Sequence, residues 1–214
     1  MLSLILVILL SYIAGSIPTA ILVSRAILKD DIRNHGSKNA GATNVFRVMG
    51  WKPALFVILV DIGKGLMAVL CITQLAESQS LLDPIFVQIL AGCFSVIGHV
   101  WTVFAGFRGG KGVATAFGVL ISLAPIPSLI TLAVWIILVL TTRIVSVGSL
   151  FAGLAFPLLL ILQKKFFIPD LPLPLLVMGI VLFVLIVVTH RSNVKRLLRG
   201  EENQFGKKKV IKDE

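Results

Sequence analysis

Charge is scarce in this chain. Only 14% of its 214 residues are Asp, Glu, Lys or Arg, and 57% are hydrophobic. Soluble domains average roughly 25% charged and 45–50% apolar. The mean hydropathy is +1.00. A water-soluble fold of this length could not hide so much apolar surface, which leaves lipid as the solvent. Acidic residues are scarcer still, 10 against 20 Lys and Arg, for a net charge of +10. Such a balance can mark nucleic-acid binding. Here much of the charge flanks apolar runs, which fits membrane topology and anionic partners, not nucleic acid. There are two cysteines, Cys71 and Cys93, both inside apolar runs. They exclude a disulfide framework and are expected in core packing. The histidines His35, His99 and His190 fall in three separate segments with no HxxxH or HExxH spacing, so no metal site is expected. No Gly-x-Ser-x-Gly elbow is present, and a covalent Ser or Cys nucleophile has no support. With no linker, tandem repeat or low-complexity tract, one membrane domain over residues 1–214 is expected. The Leu2–Leu10 run has no basic stretch before it, so no cleaved leader is expected.

What the chain has in abundance is apolar runs. They cover Leu2–Leu28, Pro53–Leu75, Pro84–Ala105, Val113–Ala124, Pro127–Leu140, Val147–Leu162 and Leu173–Thr189. A full helical span needs about 20 residues. Val113–Ala124 and Pro127–Leu140 are short, and Ala124-Pro125-Ile126-Pro127 between them predicts a turn. Charge decides the parity. If the Val113–Leu140 pair returns to its starting side, one face collects Lys29–Lys52, Arg108, Lys111, Arg143 and the tail from His190, holding 16 of the 20 Lys and Arg. The other face keeps Lys164 and Lys165 with Glu77, Asp83 and Asp170. The positive-inside rule then predicts an all-α integral membrane fold. It has seven transmembrane helical segments, two of them short, with the N-terminus out and the C-terminus in.

Three polar segments share the predicted inner face. The first, Asp31 to Arg47, gathers Gly36, Gly41, Ser37, Asn39, Thr43 and Asn44 with Lys38 and Arg47. A solvated loop would explain its cations but would need fewer glycines and amides. The second, Gly106-Phe107-Arg108-Gly109-Gly110-Lys111-Gly112, opens the Val113 helix. Backbone N–H groups at a helix start bind anions, and Lys111 adds a point charge. It is not a Walker A loop, because Ala105 and Gly112 stand where Gly and Ser/Thr are required. A tight interhelical turn is the plainer reading. The third, from Thr189 to Asn203, places His190 and Asn193 on one face if helical. Within the spans, Asp61 and Lys64 are spaced i, i+3, roughly 12–16 Å below the Pro53 start, and are expected to pair. Arg25 is expected to snorkel to the edge. His99 is expected either to line a cleft or to sit at the interface.

These motifs together resemble a known family, the bacterial membrane glycerol-3-phosphate acyltransferases that use acyl phosphate as donor. The resemblance rests on Gly15-Ser16-Ile17-Pro18, Gly36-Ser37-Lys38-Asn39-Ala40-Gly41-Ala42-Thr43-Asn44-Val45 with Arg47, Asp61-Ile62-Gly63-Lys64-Gly65 and Gly98-His99. It continues through Phe107-Arg108-Gly109-Gly110-Lys111-Gly112-Val113-Ala114-Thr115 and His190-Arg191-Ser192-Asn193 with Arg196-Leu197-Leu198. Ser192 departs from the glutamate often found in that family, and Glu202 resembles a later, structural glutamate. A different acyltransferase signature, Asn-His-x-x-x-x-Asp, is begun by Asn34-His35 but fails at Ala40.

The resemblance implies acyl transfer from acyl phosphate to the 1-hydroxyl of sn-glycerol 3-phosphate, giving lysophosphatidic acid and phosphate. It implies no cofactor, and neither CoA nor acyl carrier protein as donor. It places the protein in a bacterial inner membrane, among membrane lipids, with its site facing the cytoplasm. Ser37, Asn39, Thr43, Asn44, Arg47 and Lys111 are expected to bind substrate phosphates, with Gly109, Gly110, Gly112 and Ser146. His190 and Asn193 are the expected catalytic pair, with the proton going to His190 or to a substrate phosphate. A transporter for an organic phosphate is the rival class, since it too needs basic groups and broken helices.

Overall fold

The computed structural model describes residues 2–77 and 82–205. Of the tail cations counted above, Lys207, Lys208, Lys209 and Lys212 lie outside these residues, as does the side chain of Glu77.

Helices α1 (Leu2–Ser16) and α2 (Thr19–Leu28) divide the first apolar run at Pro18, a residue that cannot continue the helix hydrogen bonding. The amphipathic α3 (Ala42–Met49) ends at Gly50, whose φ of 88° turns the chain into α4 (Trp51–Met67). A wider π turn over Ala68–Ile72 and the short α5 (Gln74–Glu77) continue α4. Helix α6 (Pro84–Val100) starts on a proline and is capped by Asp83, whose carboxylate accepts from the Ile85 N–H at 2.9 Å. Helix α7 (Val113–Leu123) has only 11 residues, and α8 (Pro125–Thr142) has 18. Then follow α9 (Val145–Phe166), α10 (Leu173–Thr189) and α11 (Arg191–Leu198), the last bent 61° from α10. The single residue Ala124 separates α7 from α8, so the predicted turn is tighter than its four-residue motif suggested.

Five helical stretches are long and apolar enough to cross a membrane, and the bent α10–α11 pair supplies a sixth. Helix α7 is apolar but shorter. Small residues let the helices touch. A Cβ on Gly15 would lie 2.0 Å from the Ser95 carbonyl oxygen, and one on Gly98 would lie 2.2 Å from that of Tyr12, so α1 and α6 meet backbone to backbone. Gly65 and Gly118 do the same for α4 and α7, at 2.3 Å from Thr115 O and 2.1 Å from Ile62 O. In lipid, such contacts replace the hydrophobic drive that water supplies elsewhere. A core of Val69, Val96, Val119, Phe156, Leu160, Met178 and Leu182 joins the π turn after α4 to α6, α7, α9 and α10. Outward faces carry Leu59, Ile137 and Val181, as a lipid-facing surface requires.

Two expectations are settled here. Asp61 and Lys64 do pair, at 2.7 Å and almost wholly buried, and Lys64 also donates to the Ile17 carbonyl in the break between α1 and α2. Cys71 is a correction, because it is exposed, not core-packed. Ala68 and Val69 turn inward on that π turn, which leaves Leu70 and Cys71 facing out. A thiol is as well suited to hydrocarbon as to a core.

Candidate active site

The first polar segment is held by its own side chains. Asn44, almost fully buried, donates through Nδ2 to the carbonyls of Ile32, His35 and Asn39 at 3.1, 3.0 and 3.1 Å. Its Oδ1 accepts from the Ser37 N–H at 2.8 Å. Gly36 sits against this amide; a Cβ there would come within 2.4 Å of Asn44 Oδ1. Arg33 chelates Asp31 and reaches across to donate to the carbonyls of Ala105 and Arg108, at 2.9 and 3.1 Å. It thereby ties the first segment to the second, a role that sequence spacing did not disclose. Arg25 pairs with Asp31 at the exposed edge, and His35 with Asp30.

The second segment is stitched to the end of α6. Gly109 N–H donates to the Val100 carbonyl at 3.0 Å, and Gly110 N–H to that of His99 at 3.2 Å. The expected N–H cradle is therefore narrower than the motif. The N–H groups of Gly109 and Gly110 are spent on this contact, which leaves Lys111, Gly112 and the first turn of α7 lining the cavity. Gly112 enters α7 in the left-handed region, φ 82°. Gly110 packs between the two segments; a Cβ would lie 2.2 Å from His99 Nε2 and 2.9 Å from the Ala40 carbonyl oxygen. His99 is buried and 3.7 Å from Asp61, so it lines the cleft and is not interfacial.

The third segment closes the ring. His190 occupies the bend between α10 and α11, not a helix interior. Its Nδ1 lies 2.8 Å from the Ile186 carbonyl oxygen. A carbonyl only accepts, so Nδ1 carries the proton and Nε2 keeps its lone pair. Thr189 Oγ1 donates to the Lys111 carbonyl at 3.2 Å, and Lys111 Nζ donates to Asn193 Oδ1. Asn193 Nδ2 donates in turn to Glu202 at 2.7 Å, and Arg196 Nε donates to the same carboxylate at 2.8 Å. The chain after α11 thus folds back over the site. Phe205 packs edge-on against Phe46, its ring 5.9 Å from the Arg47 guanidinium, and its N–H donates to the Arg143 carbonyl.

All three segments and the start of α9 open on one cavity of about 680 Å³. Ser37, Asn39, Thr43, Asn44 and Arg47 line it, as do Gly110, Lys111, Gly112 and Ser146. His190 and Asn193 complete the ring, whereas Gly109 lies off it. The Ser146 hydroxyl is buried with no hydrogen-bond partner among the described residues. Electrostatically the ring is cationic. Burial draws the Lys111 ammonium down to about 8; Glu202 opposes that, and Arg196 and Arg47 add to it. Burial and the Lys111 charge hold His190, one residue beyond the α10 span, at about 4. Burial also lowers Arg47 from its ordinary value. Such a site has an appetite for anions, a neutral imidazole and an apolar recess running away from both. Among the described residues no group of three His, Cys, Asp or Glu is gathered as for a metal.

This geometry has close parallels. The chain is 47% identical over 212 residues to the glycerol-3-phosphate acyltransferase of Salinibacter ruber (strain DSM 13855 / M31), covering 95% of this chain and 93% of that protein. It is 42% identical over 233 residues to that of Chlorobium chlorochromatii (strain CaD3), covering 97% and 100%. Its fold matches the crystal structure of PlsY (YgiH), an integral membrane glycerol 3-phosphate acyltransferase, in the glycerol 3-phosphate form. The TM-score is 0.83, with 36% identity over 95% of this chain and 96% of that one. The lysophosphatidic acid form of that protein matches with a TM-score of 0.80. The family model described as glycerol-3-phosphate acyltransferase spans residues 5–200, and the chain belongs to that family.

Proposed function

We propose that the protein transfers a fatty acyl group from acyl phosphate to the 1-hydroxyl of sn-glycerol 3-phosphate, releasing lysophosphatidic acid and inorganic phosphate. One observation carries the reading. Arg47, Lys111, His190 and Asn193, from three separate segments of the chain, line a single cavity whose other end is apolar. Two phosphates and one hydrocarbon chain are what such a cavity suits. The solved relative's glycerol 3-phosphate and lysophosphatidic acid forms supply the acceptor and the product by analogy.

Ser37, Asn39, Thr43, Arg47, Lys111 and Ser146 hold the phosphates, helped by the start of α7 at Gly112. Asn44 serves by fixing the loop that presents them, and Gly109 and Gly110 by seating Lys111. The acceptor oxygen attacks the acyl carbonyl carbon. The bond from that carbon to the bridging phosphate oxygen breaks, and its electron pair leaves with phosphate. No acyl-enzyme forms. The acceptor proton passes to the oxygen freed on the departing phosphate, which gains negative charge as the acyl C–O bond breaks and is a stronger base than an imidazole held at about 4. His190 and Asn193 orient the acceptor. The catalytic power then lies in alignment and charge stabilisation, since the donor is already activated.

Topology supports the same reading. We place seven helical segments in a bacterial inner membrane, N-terminus out, C-terminus and site facing the cytoplasm. Arg143, the second segment and the tail then share the inner face, opposite Lys164 and Lys165 at the end of α9. Phospholipid synthesis begins with this reaction, and its partners are membrane lipids and the two substrates, with neither CoA nor acyl carrier protein as donor. Purified protein in detergent should release phosphate from acyl phosphate only when glycerol 3-phosphate is present. Acylation from a thioester but not from acyl phosphate would overturn the donor. An acyl-Ser or acyl-Cys adduct in mass spectra would overturn direct transfer.

A further inference from the structure

The cavity runs from the phosphate ring into the bundle and stops at an aromatic ring. On α9 it begins at Val145 and Ser146 and its last lining residue is Phe156; on α10 it runs back from Thr189 to Gly179. Ten residues of helix separate the two ends on each, about 15 Å of rise, so two independent helices place the floor at the same depth. Phe156 is 1% exposed. The next layer, Leu160, Met178 and Leu175, is packed core and does not line the cavity. Phe156 rests on the bare backbone of Gly179, where a Cβ would lie 3.1 Å from its Cδ1 and 3.3 Å from its Cε1. Higher up, Gly153 keeps the wall open; a Cβ there would meet Ile186 and Phe183 at 3.3 Å.

We propose that the Phe156 ring, seated on Gly179, is the floor of the acyl-chain channel and sets the chain length the enzyme prefers. This rests on the acyl-transfer reading above. A 15 Å channel accepts roughly a dozen methylenes of an extended chain, and further carbons must fold back or leave sideways between helices. Selection at a rigid apolar floor is steep, about tenfold or more in kcat/KM for each methylene that gains or loses its place.

The test is kcat/KM for a homologous series of saturated acyl phosphates with glycerol 3-phosphate. Phe156→Ala deepens the channel, and the preferred length should rise by the few carbons that a phenyl ring's space holds. Gly179→Ala lifts the ring and Gly153→Val narrows the wall, so both should favour shorter chains. Should Phe156→Ala fail to fold, Phe156→Leu asks the same question more gently. Profiles parallel to wild type in the Phe156 and Gly179 variants, with rates lowered equally at every length, would overturn the floor while leaving the reaction intact. A wild-type protein that accepts no acyl phosphate of any length would overturn the reaction, and the floor with it.

Discussion

Replacing Glu202 by glutamine removes one charge from the site and almost no volume. The carboxylate is nearly buried, with its side chain 3% exposed, and accepts from Asn193 Nδ2 and Arg196 Nε. Glutamine can still accept from Asn193, but its second terminal atom is an NH₂ that faces the Arg196 Nε–H. At least one charge-assisted hydrogen bond is lost, worth about 1.5–3 kcal/mol. Carried into the transition state, that is roughly a ten- to hundredfold fall in kcat/KM. A second effect is independent of the first. Glu202 raises the Lys111 ammonium against burial, which leaves it at about 8. Lys111 is therefore charged below about pH 8 in the free protein and neutral above it. In the proposed site phosphate binding needs that charge, so kcat/KM should fall as pH rises through 8. In Glu202→Gln that alkaline limb should move toward acid by roughly one pH unit. Phosphate release by purified protein, followed from pH 6 to pH 10 at limiting glycerol 3-phosphate, measures both effects. A variant whose kcat/KM stays within about twofold of wild type, with its alkaline limb in place, refutes the reasoning.

Other substitutions separate binding from folding. Lys111→Ala and Arg47→Ala should each lower kcat/KM by roughly 100-fold or more, while purified protein keeps its helical circular dichroism. Wild-type turnover would remove them from the site. His190→Ala should lose roughly 10–100-fold yet retain measurable turnover, because in the proposed mechanism the leaving phosphate takes the proton. Since His190 is already neutral above about 4, no acid limb from it should appear between pH 5 and pH 7. An acid limb in that range that disappears in His190→Ala would restore histidine as the base. Asn44→Ala should act mainly on stability, costing about 2–4 kcal/mol for a buried amide that serves the Ser37 N–H and three carbonyls. A thermal midpoint equal to wild type would contradict that.

Much of this was legible in the chain. The apolar runs predicted each long helix, Ala124-Pro125-Ile126-Pro127 marked the turn between α7 and α8, and i, i+3 spacing predicted the Asp61–Lys64 pair, whereas the break at Pro18 inside the first run went unread. The three polar segments were expected on one side, and they line one cavity. What escaped depends on partners distant in sequence or on surroundings that sequence does not encode. Arg33 reads as a solvated cation until it meets the carbonyls of Ala105 and Arg108. Gly109 and Gly110 read as open N–H donors until α6 takes those protons. Cys71 reads as core because hydrophobicity cannot distinguish a neighbour's side chain from a lipid tail. Phe205, well past the last span, gave no signal that it would lie over Arg47.

The unequal lengths of α7 and α8 bear on how the two substrates arrive. The chain leaves the cavity mouth at Gly112 along 11 residues and comes back to it at Val145 along 18. The outbound leg carries about 10 Å less helix than the return, and Lys111 at its start is held within the fold, its Nζ on Asn193 Oδ1 and its carbonyl on Thr189 Oγ1. In the proposed reaction, the membrane-dissolved donor presents its head to a cation already tied to α10 and α11. The proposed water-soluble acceptor meets it at the same cationic ring.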